Sequence, residues 1–162
     1  MPAEIVRLCM SKLRVTNDDH ADAAGKHLGD AGTLLEKSRF DGAGYLSGYV
    51  VECVLKAVVL HDKSFDSSVG QHDSTMLALW HKTLSTKKFG HNLQALAAIV
   101  VGAEGAPYMP DLPPRAAVFN WRETLRYSPS GTVAEVQSRA YYEWAGMAYE
   151  QAIVAMRLQG LI

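Results

Sequence analysis

Apolar side chains recur at steps of three and four residues along most of the chain, which is the period of an α-helix. The first such stretch predicts a helix over about 18–38, with polar residues at its start that suit an N-terminal cap. The second predicts a helix from Phe40 to about His61 that is apolar on nearly every face and is therefore expected to be buried. Shorter patterns predict a helix over about 74–85 and another that opens at His91.

Two more helices are expected in the last third of the chain. Pro113 and Pro114 suit a first helical turn, so a helix is predicted from there to about Tyr127. The final helix is predicted to begin at a capping box, Thr132-x-x-Glu135, and to bury an apolar seam through Val133, Val136, Ala140, Trp144, Met147, Val154 and Leu158. No strand pattern is comparably strong, so the predicted fold class is all-α, an up-and-down bundle of four or five main helices plus short ones.

Composition changes this picture little. The chain has 162 residues, of which 48% are hydrophobic and 20% charged, with a net charge of −1. These values fit a single domain over 1–162, with its core over about 18–159, that needs no metal or cofactor to fold. Cys9 and Cys53 lack metal-ligand spacing and favour a reducing compartment. The start of the chain does not read as a secretory signal, so we expect a cytoplasmic protein with no membrane contact.

Glycines occur at helical spacing on both of the first two helices. Gly25, Gly29 and Gly32 share one face of the first, and Gly44 and Gly48 share a face of the second. Each glycine costs roughly 0.8–1.0 kcal/mol against alanine inside a helix. Close approach by a neighbouring backbone would compensate this cost, and a break in the first helix is the alternative.

A polar stripe crosses the otherwise apolar second helix. Tyr45, Tyr49, Glu52 and Lys56 follow one another at helical spacing, with Glu52 four residues before Lys56 in the favourable order for an ion pair. The pair could satisfy itself at a seam between helices, since buried charges persist mainly when paired. The functional alternative is that the stripe lines a polar pocket.

Arginines concentrate near the end of the fifth predicted helix. In an α-helix Arg115, Phe119, Arg122 and Arg126 would fall within an arc of about 60°. Three guanidinium groups around one ring suit phosphate contacts with a base stacked between them. A solvated face paired with carboxylates is the alternative interpretation. Tyr127 ends the run and could donate a hydrogen bond or simply pack.

Three parts of the chain carry a family resemblance: the helix pattern Tyr-x-x-x-Tyr-x-x-Glu-x-x-x-Lys of residues 45–56, the later Gly90-His91-Asn92-Leu93, and Arg126-Tyr127-Ser128. Together they resemble the HEPN-domain family, the "higher eukaryotes and prokaryotes nucleotide-binding" proteins. The resemblance covers about 20–158 as a pattern of helices. It implies a helical bundle, a homodimer, and RNA cleavage, nucleotide binding or pairing with a small nucleotidyltransferase antitoxin in toxin–antitoxin and defence systems.

The nuclease members of that family carry an arginine followed four to six residues later by a histidine near the late helices. Here no histidine follows His91, so the usual Arg-x4-6-His motif is missing there. Arg122-x4-Tyr127 is similar to the arrangement in members that pair with nucleotidyltransferases, with a spacing one residue shorter. His91 matches a residue common at a helix start in the family, where we expect it to cap or pack.

Three functions follow from these residues. The first is a HEPN-like nucleotide- or RNA-phosphate-binding or interaction module, catalytically weak or inactive, that uses Arg115, Arg122, Arg126 and Tyr127 to hold phosphate or a partner surface. The second is a metal-independent ribonuclease in which Arg122 or Arg126 positions phosphate and Tyr127 assists, across a homodimer. The third is a structural helical adaptor whose glycine face only packs helices.

Overall fold

The computed structural model describes residues 11–111 and 121–162, and over these ranges the chain forms an all-α helical bundle. Helix α1 spans His20–Glu36 and helix α2 spans Phe40–Ser64. A two-residue ladder, β1 Phe65–Asp66 against β2 Gln71–His72, follows, and then helix α3 spans Ser74–Leu84. The expected helix over 74–85 is therefore confirmed, while α2 runs three residues beyond its predicted end.

The second half of the described chain is less regular. Helix α4 spans only Leu93–Ala97, and a 3-10 turn covers Ala106–Tyr108. A second 3-10 segment covers Glu123–Tyr127. Helix α5, Glu135–Tyr149, continues through a π-helical turn, Glu150–Val154, into helix α6, Ala155–Leu158.

Helix α2 is the core of the bundle. It packs against α1, α3 and α5, and residues 50–61 are all buried. By length and hydropathy alone it could cross a membrane, with a mean hydropathy of 1.5 over an 18-residue window. Yet 83% of that window is buried inside the protein, which is how the central helix of a bundle behaves.

Of the glycines named on α1 and α2, all but Gly29 lie against side chains, whereas close approach of a neighbouring backbone was expected. A Cβ at Gly25 would lie 2.9 Å from the Tyr149 hydroxyl, and one at Gly32 would lie 2.8 Å from the Tyr142 hydroxyl. On α2, a Cβ at Gly48 would overlap the Trp121 indole. Helix α1 is continuous across its glycines, so the alternative of a break is wrong.

The predicted capping box at Thr132 is wrong. The N-cap of α5 is Ala134, which makes no side-chain capping bond. Asp41 of α2 instead accepts the backbone N–H groups of Gly131 and Val133, each at 2.7 Å. These two bonds, Val133 first, lower the pKa of the Asp41 carboxyl. A carboxylate distant in sequence thus holds the turn that leads into α5.

The predicted apolar seam of the last helix is wrong in part. Val133 and Trp144 are buried, but Val136, Met147 and Leu158 are largely exposed. The face that packs on α2 carries smaller and polar-tipped residues, among them Ser138, Tyr141, Ala145 and Ala148. Apolar spacing alone does not show which face of this helix is buried, because two sets of its residues recur with the period of an α-helix.

We expect Gly48→Ala to destabilise the fold, because its methyl group would overlap the Trp121 ring. Overpacking of this kind typically costs about 1–3 kcal/mol. The matched control is Gly29→Ala on α1, where nothing lies within 4 Å of the added Cβ. That change should stabilise the helix by about 0.5–1 kcal/mol. Urea unfolding of both variants measures the difference, and effects of equal sign would contradict the packing described here.

Candidate functional site

A buried ion pair lies in the middle of helix α2. Lys56 Nζ is 2.8 Å from Glu52 Oε1, and the two residues are only 6% and 3% exposed. Apolar side chains of the core surround this part of the helix. Two charges taken out of water in this way are tolerated only because each neutralises the other. The expected pair between Glu52 and Lys56 is therefore formed.

Glu52 has a second partner that comes from a distant part of the chain. His91 Nδ1 is 2.9 Å from Glu52 Oε2. The His91 side chain is 45% exposed, so this contact joins the buried pair to the surface. His91 does not cap α4, because Asn92 does so by accepting from the backbone N–H of Ala95. Of the two roles expected for His91, capping this helix is wrong, whereas its ring packs against that of Tyr49.

Tyr49 lies at the centre of an aromatic cluster beside this contact. Its ring centroid is 5.0 Å from that of Tyr45, 5.1 Å from that of Trp121 and 5.6 Å from that of His91. Burial first, and then the hydrogen bond that it shares with Tyr45, raise the pKa of the Tyr49 phenol, which therefore stays protonated at neutral pH. The cluster fixes the plane of the His91 ring from the side.

Trp121 closes this cluster and was not singled out by the sequence. Its indole Nε1 donates to the backbone oxygen of Tyr45 at 2.9 Å, and its ring covers Gly48. The signal that could have found it is Gly48 itself, because a glycine in the middle of a buried helix marks the place where a large ring lies close.

A cavity of about 560 Å³ opens between the chain around His91 and the segment that begins at Trp121. Its walls include Lys87, Phe89, His91, Gln94, Trp121 and Arg122. Lys87 and Arg122 bring positive charge to it, and Glu123 brings one negative charge. The cavity therefore joins two cations, an imidazole and two aromatic rings, which is a suitable lining for a phosphate-bearing ligand.

The predicted arginine face is not formed over the part of it that the structure describes. Arg122 has extended backbone angles, φ −141° and ψ 147°, and the 3-10 segment starts only after it. Arg122 and Arg126 therefore do not stand one α-helical turn apart. Arg115 and Phe119 lie outside the described residues, so the rest of that face has no structural account.

Arg126 and Tyr127 are not among the residues that line the cavity with Arg122. The Arg126 guanidinium lies over the Tyr127 ring, 4.8 Å from its centroid, and Tyr127 is exposed. The neighbouring phenol of Tyr127 first, and then Tyr45 and Tyr49, raise the pKa of the Arg126 guanidinium. Among the proposed residues from His91 onward that the structure describes, Arg122 and His91 share the cavity, whereas Arg126 and Tyr127 do not line it.

Within residues 11–111 and 121–162, no group of three or more His, Cys, Asp or Glu side chains is arranged to hold a metal ion. The chemistry that the described site offers is a proton acceptor or donor at His91 and cationic anchors at Arg122 and Lys87.

We expect Glu52→Leu to cost about 3–5 kcal/mol, because it leaves the Lys56 ammonium unpaired in the core. Lys56→Met should cost less, because His91 still contacts the Glu52 carboxylate. The double variant should recover most of that loss, since it removes both charges. Denaturant unfolding of the wild type and the three variants measures the free energy of unfolding for this double-mutant cycle.

The matched control is the pair of Glu135 and Arg139 on α5, which has the same four-residue spacing but is exposed. There the corresponding changes should stay within about 0.5 kcal/mol. Equal losses at the two pairs would show that Glu52 and Lys56 are not buried as described.

No model of a known protein family matches this chain, and neither a curated protein nor a solved structure matches it. The resemblance to HEPN-domain proteins therefore stays a prediction from the sequence. The function of the protein is therefore inferred from the residues that line the cavity.

Proposed function

We propose that the protein is a HEPN-like module of the cytoplasm, of a toxin–antitoxin or defence type, that binds the phosphate of a nucleotide or of RNA in the cavity between His91 and Arg122. The observation that carries this proposal is that Arg122 and Lys87 line the same cavity as Phe89 and His91. Guanidinium and ammonium groups recognise phosphate oxygens, and a ring beside them can contact a base.

The dimensions of the cavity support this proposal. About 560 Å³ is within the usual range for sites of small organic ligands, roughly 300–1,000 Å³. The whole chain carries a net charge of −1, so attraction for an anion has to be local. The exposed Arg122 supplies such a local charge without a carboxylate ion pair in the described structure.

We expect ATP, AMP or pyrophosphate to raise the melting temperature of the protein, because a ligand that binds only the folded state stabilises it. Arg122→Ala should weaken binding by about 10- to 100-fold in calorimetry, which corresponds to one lost charged hydrogen bond. Arg139→Ala is the matched control, since Arg139 pairs with Glu135 and is not part of the cavity wall. Binding that is the same in wild type, Arg122→Ala and Lys87→Ala would refute the site.

A metal-independent ribonuclease is the second candidate, and one observation favours it. His91 and Arg122 line one cavity, so an imidazole and a guanidinium stand near the same bound phosphate. An imidazole can move a proton near neutral pH, whereas a phenol with an ordinary pKa near 10 is a poor base there. In this version His91 takes the role that the sequence assigned to Tyr127.

The ribonuclease candidate predicts that the purified protein cleaves single-stranded RNA in the presence of EDTA. His91→Ala and Arg122→Ala should each lower the rate at least about 100-fold, while Tyr127→Phe and Arg139→Ala should keep it. Gel analysis of a labelled oligonucleotide measures the rate. A wild-type protein that binds the oligonucleotide and leaves it intact would limit the function to binding.

A further inference from the structure

The Glu52 carboxylate divides its two oxygens between a buried and a half-exposed partner. Oε1 contacts Lys56 Nζ at 2.8 Å, and Oε2 contacts His91 Nδ1 at 2.9 Å. The Glu52 side chain itself is 4% exposed. Both oxygens are therefore held by other residues of the protein, and solvent has little access to them.

Lys56 defines Glu52 as the acceptor in this group of contacts. The Lys56 ammonium has only hydrogens to donate and lies 2.8 Å from Oε1, so Glu52 is the carboxylate partner of a buried ion pair. A carboxylate has no proton to donate, so Oε2 can only accept from His91.

This contact fixes the tautomer of His91. Since Glu52 Oε2 accepts, the neutral imidazole must carry its hydrogen on Nδ1. Nε2 then keeps an unprotonated lone pair on the side of the ring away from Glu52. Nδ1 is held at the buried Glu52 carboxylate, so the part of the half-exposed ring that lines the cavity with Arg122 is the part that carries Nε2.

We propose that Lys56, Glu52 and His91 form a proton-transfer triad in which His91 acts on a phosphate ester held by Arg122, and in which Glu52 and Lys56 are positioning residues. The proposal rests on the proposed phosphate site and deepens its ribonuclease version. Neither a sequence motif nor a neighbouring residue in the chain links His91 to this pair, because 39 residues separate it from Glu52.

The chemical step can be written with its atoms and electrons in balance. His91 Nε2 takes the proton of a ribose hydroxyl while the oxygen of that hydroxyl bonds to phosphorus. The bond between phosphorus and the leaving oxygen breaks, and its electron pair stays on that oxygen. The imidazolium then returns the proton to the leaving oxygen, while Glu52 stabilises the charged ring. Arg122 binds the phosphate oxygens on which negative charge increases.

The test is the tautomer of His91 in the full chain, read at neutral pH by two-dimensional nitrogen NMR of histidine-labelled protein. His91→Gln identifies its signal among the six histidines. The wild type should carry hydrogen on Nδ1 and a free Nε2. In Glu52→Gln the amide oxygen should stay with Lys56, so the amide NH2 donates to Nδ1 and the hydrogen moves to Nε2.

Glu52→Gln should also lower the turnover of a single-stranded RNA oligonucleotide by about 100-fold and leave its affinity within about twofold. Glu135→Gln, at the exposed pair on α5, is the matched control and should change neither value. A wild-type His91 with its hydrogen on Nε2 overturns the triad without any need for a folded variant. So does unchanged turnover in Glu52→Gln. A correct tautomer in a protein that binds no phosphate would instead refute the proposed function.

Discussion

The structure depends on one constraint, which is that a carboxylate lies inside the central helix and needs a partner at each oxygen. Lys56 supplies one partner from the same helix, and His91 supplies the other from the segment before α4. The second contact ties that segment to the core. The cavity opens between this segment and Trp121 and Arg122, so the contact that gives Glu52 its second partner also involves a residue of the cavity wall.

Much of the bundle can be predicted from the sequence because its main helices have clear apolar patterns of their own. The apolar run of α2 and the three-and-four spacing of α1 and α3 predict elements that the structure contains. The failures have a common reason. Asp41 of α2 accepts hydrogen bonds from the backbone of residues 131–133, in the turn before α5. Trp121 donates to the backbone of Tyr45 and so anchors the extended chain at Arg122. Contacts between distant residues override local helix propensity, and the spacing of apolar residues along a single sequence does not reveal them.

The candidate site divides in the same way. The stripe of Tyr45, Tyr49, Glu52 and Lys56 is readable from helical spacing, because all four belong to α2. What the spacing cannot give is the partner of Glu52, since His91 reaches it across 39 residues. Likewise, helical geometry grouped Arg122 with Arg126, whereas the backbone at Arg122 is extended and Arg122 lines the same cavity as His91. The site in the structure therefore contains different residues from the site predicted from the sequence, although both combine cationic and aromatic side chains.

The most direct test of this account is the charge of the Glu52 carboxyl inside the folded protein. A carbon NMR spectrum of glutamate-labelled protein at neutral pH reports it, with the signal assigned by its loss in Glu52→Gln. The account predicts the chemical shift of an ionised carboxylate, held by Lys56 and His91. The shift of a protonated carboxylic acid would contradict it, because such a group would neither pair with Lys56 nor hold His91 in the tautomer described.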